Sequence, residues 1–136
     1  MKVENAAYPT SEQLQALAQH PTTGPVVMVN LLKFRAKAVY KDGRPDNISG
    51  VEAYMRYAEK MRAIVEDAGG RFVFGGAVKE LVIGAVEELW DAVGIVEYPS
   101  REEFLRIVRL PEVQEISVHR EAGLAGQLLI QTVPRR

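Results

Sequence analysis

Val26-Val27-Met28-Val29-Asn30-Leu31-Leu32-Lys33-Phe34 is the stretch on which the fold turns. It is apolar on both alternating faces and rich in β-branched residues, which predicts a strand covered on both sides. Val26, Met28, Leu32 and Phe34 fall on one side, and Val27, Val29 and Leu31 on the other. An antiparallel sheet with one wet face would alternate apolar with polar instead. Asn30 is the only polar residue before Lys33.

Working outward, Thr10-x-x-Gln13 has the spacing of a capping box, and Leu14, Leu17 and Ala18 form a narrow apolar stripe. A short helix follows, stopped at His20-Pro21 and the turn residues after it, with His20 expected in solvent. Residues 1–25 therefore read as an N-terminal arm with a short helix, and residues 26–136 as the domain proper. Downstream of the strand, residues 36–49 form a polar insertion with a turn at Lys41-Asp42-Gly43 and a break at Pro45. Its length and polarity predict a mobile lid or a disordered insertion.

Ser49-x-x-Glu52 opens a long helix with Val51, Tyr54, Met55, Ala58, Met61, Ile64, Val65 and Ala68 at helical spacing, ended by Gly69-Gly70. Residues 71–84 predict a strand bulged at Gly75-Gly76, and residues 89–98 the next strand. Ser100-x-x-Glu103 starts a helix with Phe104, Leu105 and Val108 inward. Pro111 restarts it through Val113, Ile116 and His119, and residues 127–133 close the chain as a strand. The order β-α-β-β-α-β is that of a ferredoxin-like α+β fold: a four-stranded antiparallel sheet with both helices on one face.

Those helices cover one side of the sheet, yet the first strand is apolar on both. Residues 90–98 repeat the pattern, with Trp90, Ala92, Val96 and Tyr98 against Val93 and Ile95. A bare apolar sheet face is a liability for a monomer, so a homodimer packed face to face is expected. The alternative is that the N-terminal arm folds across the sheet.

Composition narrows the function. The 136 residues carry a formal net charge of −1 and no cysteine. Without a basic footprint, nucleic acid is not an expected partner. Without cysteine, disulfides, thiol nucleophiles and thiolate metal sites are excluded. The first residues lack the apolar run of a signal peptide, and no run reaches membrane-spanning length, so no membrane association and a cytoplasmic location are expected. No nucleotide-binding loop, metalloprotease or nucleophile-elbow motif is present.

Six residues are candidates for chemistry. Asn30 is an amide in an apolar strand, which must bond either a neighbouring loop or a ligand. Tyr54 and Tyr57 lie one turn apart, as pocket donors or as rim residues with wet tips. Trp90 stands beside Asp91 at the start of a strand, where the pair would line a cavity. His119 is the natural general base, and Arg120 beside it would clamp a carboxylate. Both are equally accounted for as cations at a helix C-terminus. Asp91 and Glu97, six residues apart on one strand face and roughly 20 Å distant, cannot act as a carboxylate pair.

From Val26 onward the chain resembles a family known as domain of unknown function 1330, within the dimeric α/β-barrel superfamily. The likeness rests on the first strand, Tyr54-x-x-Tyr57, Gly69-Gly70-Arg71, Glu97-Tyr98-Pro99-Ser100, Pro111-Glu112 and Arg120. It implies two ferredoxin-like units whose sheets close into a barrel, with a small-molecule pocket between sheet and helices. Superfamily members include cofactor-free oxygenases, isomerases and lactonising enzymes, and haem binders, for which His119 would be the axial ligand. The arm, the 36–49 insertion and Leu110, where the family often has serine, depart from the compact pattern. The expectation is a homodimer without metal or cofactor, an enzyme or binder for a small, partly apolar acid or phenol. Asn30, Tyr54, Trp90 and Arg120 would bind this ligand, with His119 as catalytic candidate. The alternative is a non-catalytic dimeric sensor or assembly module.

Overall fold

A computed structural model describes residues 4–19, 22–45 and 47–135; His20 lies outside them. Thr10 opens α1 (Ser11–Gln19) with the expected reciprocal cap: Gln13 N–H donates to Thr10 Oγ1 at 3.1 Å and Thr10 N–H to Gln13 Oε1 at 2.9 Å. Its far end is held by Arg101, a buried cation that donates to the carbonyls of Leu17 (2.7 Å) and Ala18 (2.6 Å). Cationic donors suit the exposed carbonyls of a helix C-terminus.

The remaining elements are β1 (Val26–Phe34), α2 (Gly50–Asp67), β2 (Arg71–Ala77), β3 (Ala92–Tyr98), α3 (Arg101–Val108), α4 (Pro111–Gly123) and β4 (Leu124–Thr132). The strands form one antiparallel sheet in the order β2-β3-β1-β4, the ferredoxin-like arrangement expected. Register sets the faces. Val26 opposes Tyr98, Met28 opposes Val96 and Asn30 opposes Gly94, all facing the helices. The core sits there, between the sheet and Met61, Val65, Phe104 and Ile107.

On the other face Val27 opposes Glu97, Val29 opposes Ile95 and Leu31 opposes Val93, flanked by Phe74 and Ile130. Phe74 is 57% exposed and Ile130 44%. The described part of the N-terminal arm does not cover this face. It runs to the other side, where α1 meets Arg101 and Ala6 pairs with Gln127.

Residues 36–49 differ from the expected lid. The described residues, 36–45 and 47–49, pack as a tied loop: Lys37 bridges Ser49, Ala38 N–H donates to Ile48 (3.0 Å) and Val39 N–H to Ala122 (3.0 Å). Tyr40 anchors the loop against Ala53 and Ala122 with 7% of its surface exposed. The β2–β3 connection differs too. The ladder stops soon after Ala77, the last cross-chain bond being Val78 N–H to Asp91 O at 2.9 Å, and residues 78–91 form an irregular loop. The bulge falls between Phe72 and Phe74 rather than at Gly75-Gly76.

Ser49 and Glu52 form a full capping box on α2. At Ser100 only half forms, because the Glu103 carboxylate turns to Arg106 at 2.7 Å. Met61 and Val65 are buried as expected, but Val51 and Met55 are exposed and Ala53 is buried in their place. The cause is a close crossing of α2 with the end of α4. A Cβ on Gly123 would stand 2.3 Å from Gly50 O, and one on Gly50 would stand 2.7 Å from Gly123 O. Only paired glycines permit that approach. It brings the last turn of α4 against the first turns of α2, which positions the site.

Candidate functional site

Asn30 lies on the helix-facing side of the central strand β1, opposite Gly94, whose missing side chain leaves room for it. Its amide is used at both ends. Nδ2 donates to Gly94 O at 3.1 Å, and Oδ1 accepts from Gln127 Nε2 at 2.8 Å. Gln127, on β4, passes the connection outward, its Oε1 accepting from Arg120 at 2.8 Å. A relay of two amides thus runs from the centre of the sheet to a guanidinium on α4.

Arg120 is half-buried, and among the described residues no carboxylate pairs with it. Its face is covered by the Tyr8 ring, 4.9 Å from the guanidinium carbon. On α2, Tyr54 and Tyr57 stand with ring centres 5.7 Å apart, and Phe34 of β1 continues the aromatic series 5.4 Å from Tyr54. Burial pushes both phenols above their usual range, and Arg120 is near enough to draw them partly back. Tyr98 joins from β3, its phenol also raised by burial and by the neighbouring phenols of Tyr57 and Tyr54. Neither Tyr54 nor Tyr57 has a side-chain hydrogen bond to any described residue. Neutral phenols beside an arginine that lacks a close ion pair form a donor-rich place for an oxyanion.

The structure separates His119 from Arg120. Adjacent positions on a helix point about 100° apart, and His119 Nδ1 shares a hydrogen bond with the Tyr40 hydroxyl at 2.8 Å, the rings edge to face. Trp90 is half-buried in the loop before β3 and has no side-chain hydrogen bond or ring contact to a described residue. Its neighbour Asp91 is occupied at the sheet end, accepting from Lys33 (3.1 Å) and from Phe34 N–H (2.8 Å). Glu97 pairs with Arg71 at 3.1 Å on the outer face. Asn30 and Arg120 are therefore joined through Gln127, with Tyr54 close enough to feel the guanidinium, while the His119 ring bonds Tyr40 and Trp90 shares no hydrogen bond or ring contact with these residues.

Gln127, Tyr98 and Tyr8 are the members the sequence reading missed. Gln127 carries the signal that singled out Asn30, an amide at the edge of an apolar strand. Tyr98 alternates with the inward Val96. Nothing local marks Tyr8. Two shallow surface depressions, of about 410 Å³ beside the α3–α4 junction and about 450 Å³ beside Pro25 and Val133, lie elsewhere and share none of these residues. Among the described residues no cluster of His, Asp or Glu could hold a metal, and no helix is long and apolar enough to cross a membrane.

The fold and this polar layer define an α+β protein of ferredoxin-like type. The profile of the family described as Domain of unknown function (DUF1330) matches residues 46–133, and the chain belongs to that family. A Rhodopseudomonas palustris protein of unknown function is 32% identical over 98% of this chain and 99% of its own, with a TM-score of 0.87. Likeness in fold alone extends further. SnoaB, a cofactor-independent oxygenase from Streptomyces nogalater, is 13% identical over 84% of this chain and 96% of its own, TM-score 0.55. A dimeric ferredoxin-like protein of unknown function from Thermobifida fusca is 14% identical over 85% and 96%, TM-score 0.53. No curated protein matches the chain.

Proposed function

We propose that the protein is a homodimer that binds a small, partly apolar oxyanion, a carboxylate or phenolate, between its sheet and helices. One observation carries this reading: Arg120 is a half-buried guanidinium with an amide on one N–H, an aromatic ring on its face and no close ion pair among the described residues, the nearby Glu121 carboxylate being taken up by Lys41 and Tyr8. A charge in that setting is costly unless something neutralises it, and a ligand anion would do so with its remaining N–H groups. Tyr54 and Tyr57 would add neutral donors, and Phe34 an apolar wall. The dimer is supported by the apolar outer sheet face and by the dimeric Thermobifida fusca protein of the same fold. The same site would serve cofactor-independent catalysis, with His119, hydrogen-bonded to Tyr40, remaining the candidate general base.

A thermal-shift screen of aromatic and aliphatic acids tests the reading. Acids should stabilise the wild type, and Arg120→Ala should lose roughly 2–5 kcal/mol of binding, as expected for a buried charge contact. Tyr57→Phe removes one donor without disturbing a bond of the fold and should lose about 0.5–1.5 kcal/mol. If no acid stabilises the wild type, or Arg120→Ala responds equally, the reading is wrong.

A further inference from the structure

Arg120 has a cover that belongs to neither the sheet nor the long helices. Residues 4–10 cross the start of β4 on their way to α1. Ala6 exchanges two backbone hydrogen bonds with Gln127, at 3.4 and 2.9 Å. Asn5 lies against Gly126, where a Cβ would stand 2.7 Å from its side chain. Two residues on, Tyr8 lays its ring over the Arg120 guanidinium at 4.9 Å and donates its hydroxyl to Glu121. Lys41 grips Glu121 from the 36–49 loop at 2.5 Å. These anchors, Arg120, Glu121, Gly126 and Gln127, all lie where α4 passes into β4, the segment that carries the oxyanion site. Gln127 serves both, bonding the arm through its backbone and Arg120 through its side chain. Tyr8 itself is 48% exposed, and no residue between 4 and 10 is fully buried.

We infer that Tyr8 is a ligand-selecting residue of the Arg120 site and that the segment bearing it is a removable strap. The inference rests on the reading of Arg120 as the anion-binding group. The Tyr8 hydroxyl also reaches Arg120, but the stacked ring itself takes no N–H donor, so it holds the group flat and leaves the guanidinium edge to an anion. A guanidinium held flat presents its edge, and a planar anion meets that edge two N–H groups at a time. The same anion, when conjugated, lies beside the Tyr8 ring and the Phe34–Tyr54–Tyr57 series. Planar conjugated oxyanions are therefore favoured over tetrahedral ones such as phosphate. The strap is removable because residues 4–10 place no side chain in the core, so opening it extracts none.

Phenylglyoxal, which modifies accessible guanidinium groups, tests this when followed by peptide mass spectrometry. Arg62, which is exposed on α2 away from the outer sheet face, is the internal reference. Arg120 should react slowly in the wild type and about tenfold faster in Tyr8→Ala, with Arg62 unchanged. Tyr8→Phe, which keeps the ring but loses the Glu121 tether, should fall between. Benzoate should slow the reaction at Arg120 in the wild type, and inorganic phosphate at the same concentration should not. Equal Arg120 rates in wild type and Tyr8→Ala overturn the strap, even if benzoate protects. Equal protection by phosphate overturns the selecting role. Opening by Tyr8→Ala without any protection by benzoate leaves the strap standing and removes the oxyanion reading beneath it.

Discussion

Burial keeps Tyr54, Tyr57 and Tyr98 as neutral phenols, and this has a measurable consequence in alkali. Their folded pKa values lie above the unfolded value of about 10, so the folded state keeps protons that the unfolded chain releases. The associated stability is whole below pH ~10 and is lost as the pH rises above it. Three of the five tyrosines should therefore titrate only with unfolding. Absorbance near 295 nm, followed against pH together with far-ultraviolet circular dichroism, should show a cooperative rise that coincides with loss of structure. Independent titration of all five in a chain that stays folded would contradict the burial described. Asn30 shows the same logic without charge. Its amide is tolerated in the central strand because Gly94 and Gln127 satisfy both ends, and an unmet end would cost roughly 1–3 kcal/mol.

At the level of elements, local chemistry predicts helix starts better than loop behaviour. Thr10 and Ser49 cap as their spacing requires, since a capping box closes within four residues. The 36–49 segment reads as polar and broken by glycine and proline, yet Tyr40 pins it to Ala53 on α2 and Ala122 on α4. Those contacts are remote in sequence and invisible to local pattern. Tyr40→Ala should cost about 3–5 kcal/mol, the range for truncating a buried aromatic. It should also make Lys41 and Arg44 the first tryptic sites, which they should not be in the wild type. Urea unfolding and timed trypsin digestion check the two halves. The reverse error occurs after β2. Val82 and Ile83 have strand propensity, but no strand lies beside them beyond the Val78–Asp91 bond, and they stand 89% and 88% exposed. Propensity without a partner makes no ladder.

At the scale of the whole molecule, the outer sheet face is the surface on which the proposed dimer rests. Val29 and Leu31 of β1, Ile95 of β3 and the exposed Phe74 lie on one apolar surface that no element among the described residues covers. Sedimentation equilibrium at micromolar concentration should give twice the monomer mass. Ile95→Asp places a charge at the middle of that face, two strands from Arg120 and on the opposite side of the sheet, and should shift the protein to monomer without unfolding it. A wild-type monomer, or a dimer indifferent to Ile95→Asp, would place the interface elsewhere. A permanent interface of this kind should bury on the order of 2,000 Å² or more in total.

The sequence by itself determined the order of elements, the ferredoxin-like class, the doubly apolar central strand and the family, because periodicity, caps and glycine stops act within a few residues of where they are read. It also marked Asn30, Tyr54 and Arg120, each by an oddity of residue type in its local pattern. Only the tertiary structure decided that Gln127 joins Asn30 to Arg120 near Tyr54 and that the His119 ring bonds Tyr40. That outcome depends on the Gly50–Gly123 crossing, which sets how α4 turns against α2, and on register, which puts Gln127 within reach of Asn30. The recruitment of Tyr8 is of the same kind. A residue more than a hundred positions from Arg120 becomes its neighbour only after the sheet has closed and its edge can pair with Ala6. Local pattern carries no information about which distant side chains the packed layers will bring within a few ångströms of each other.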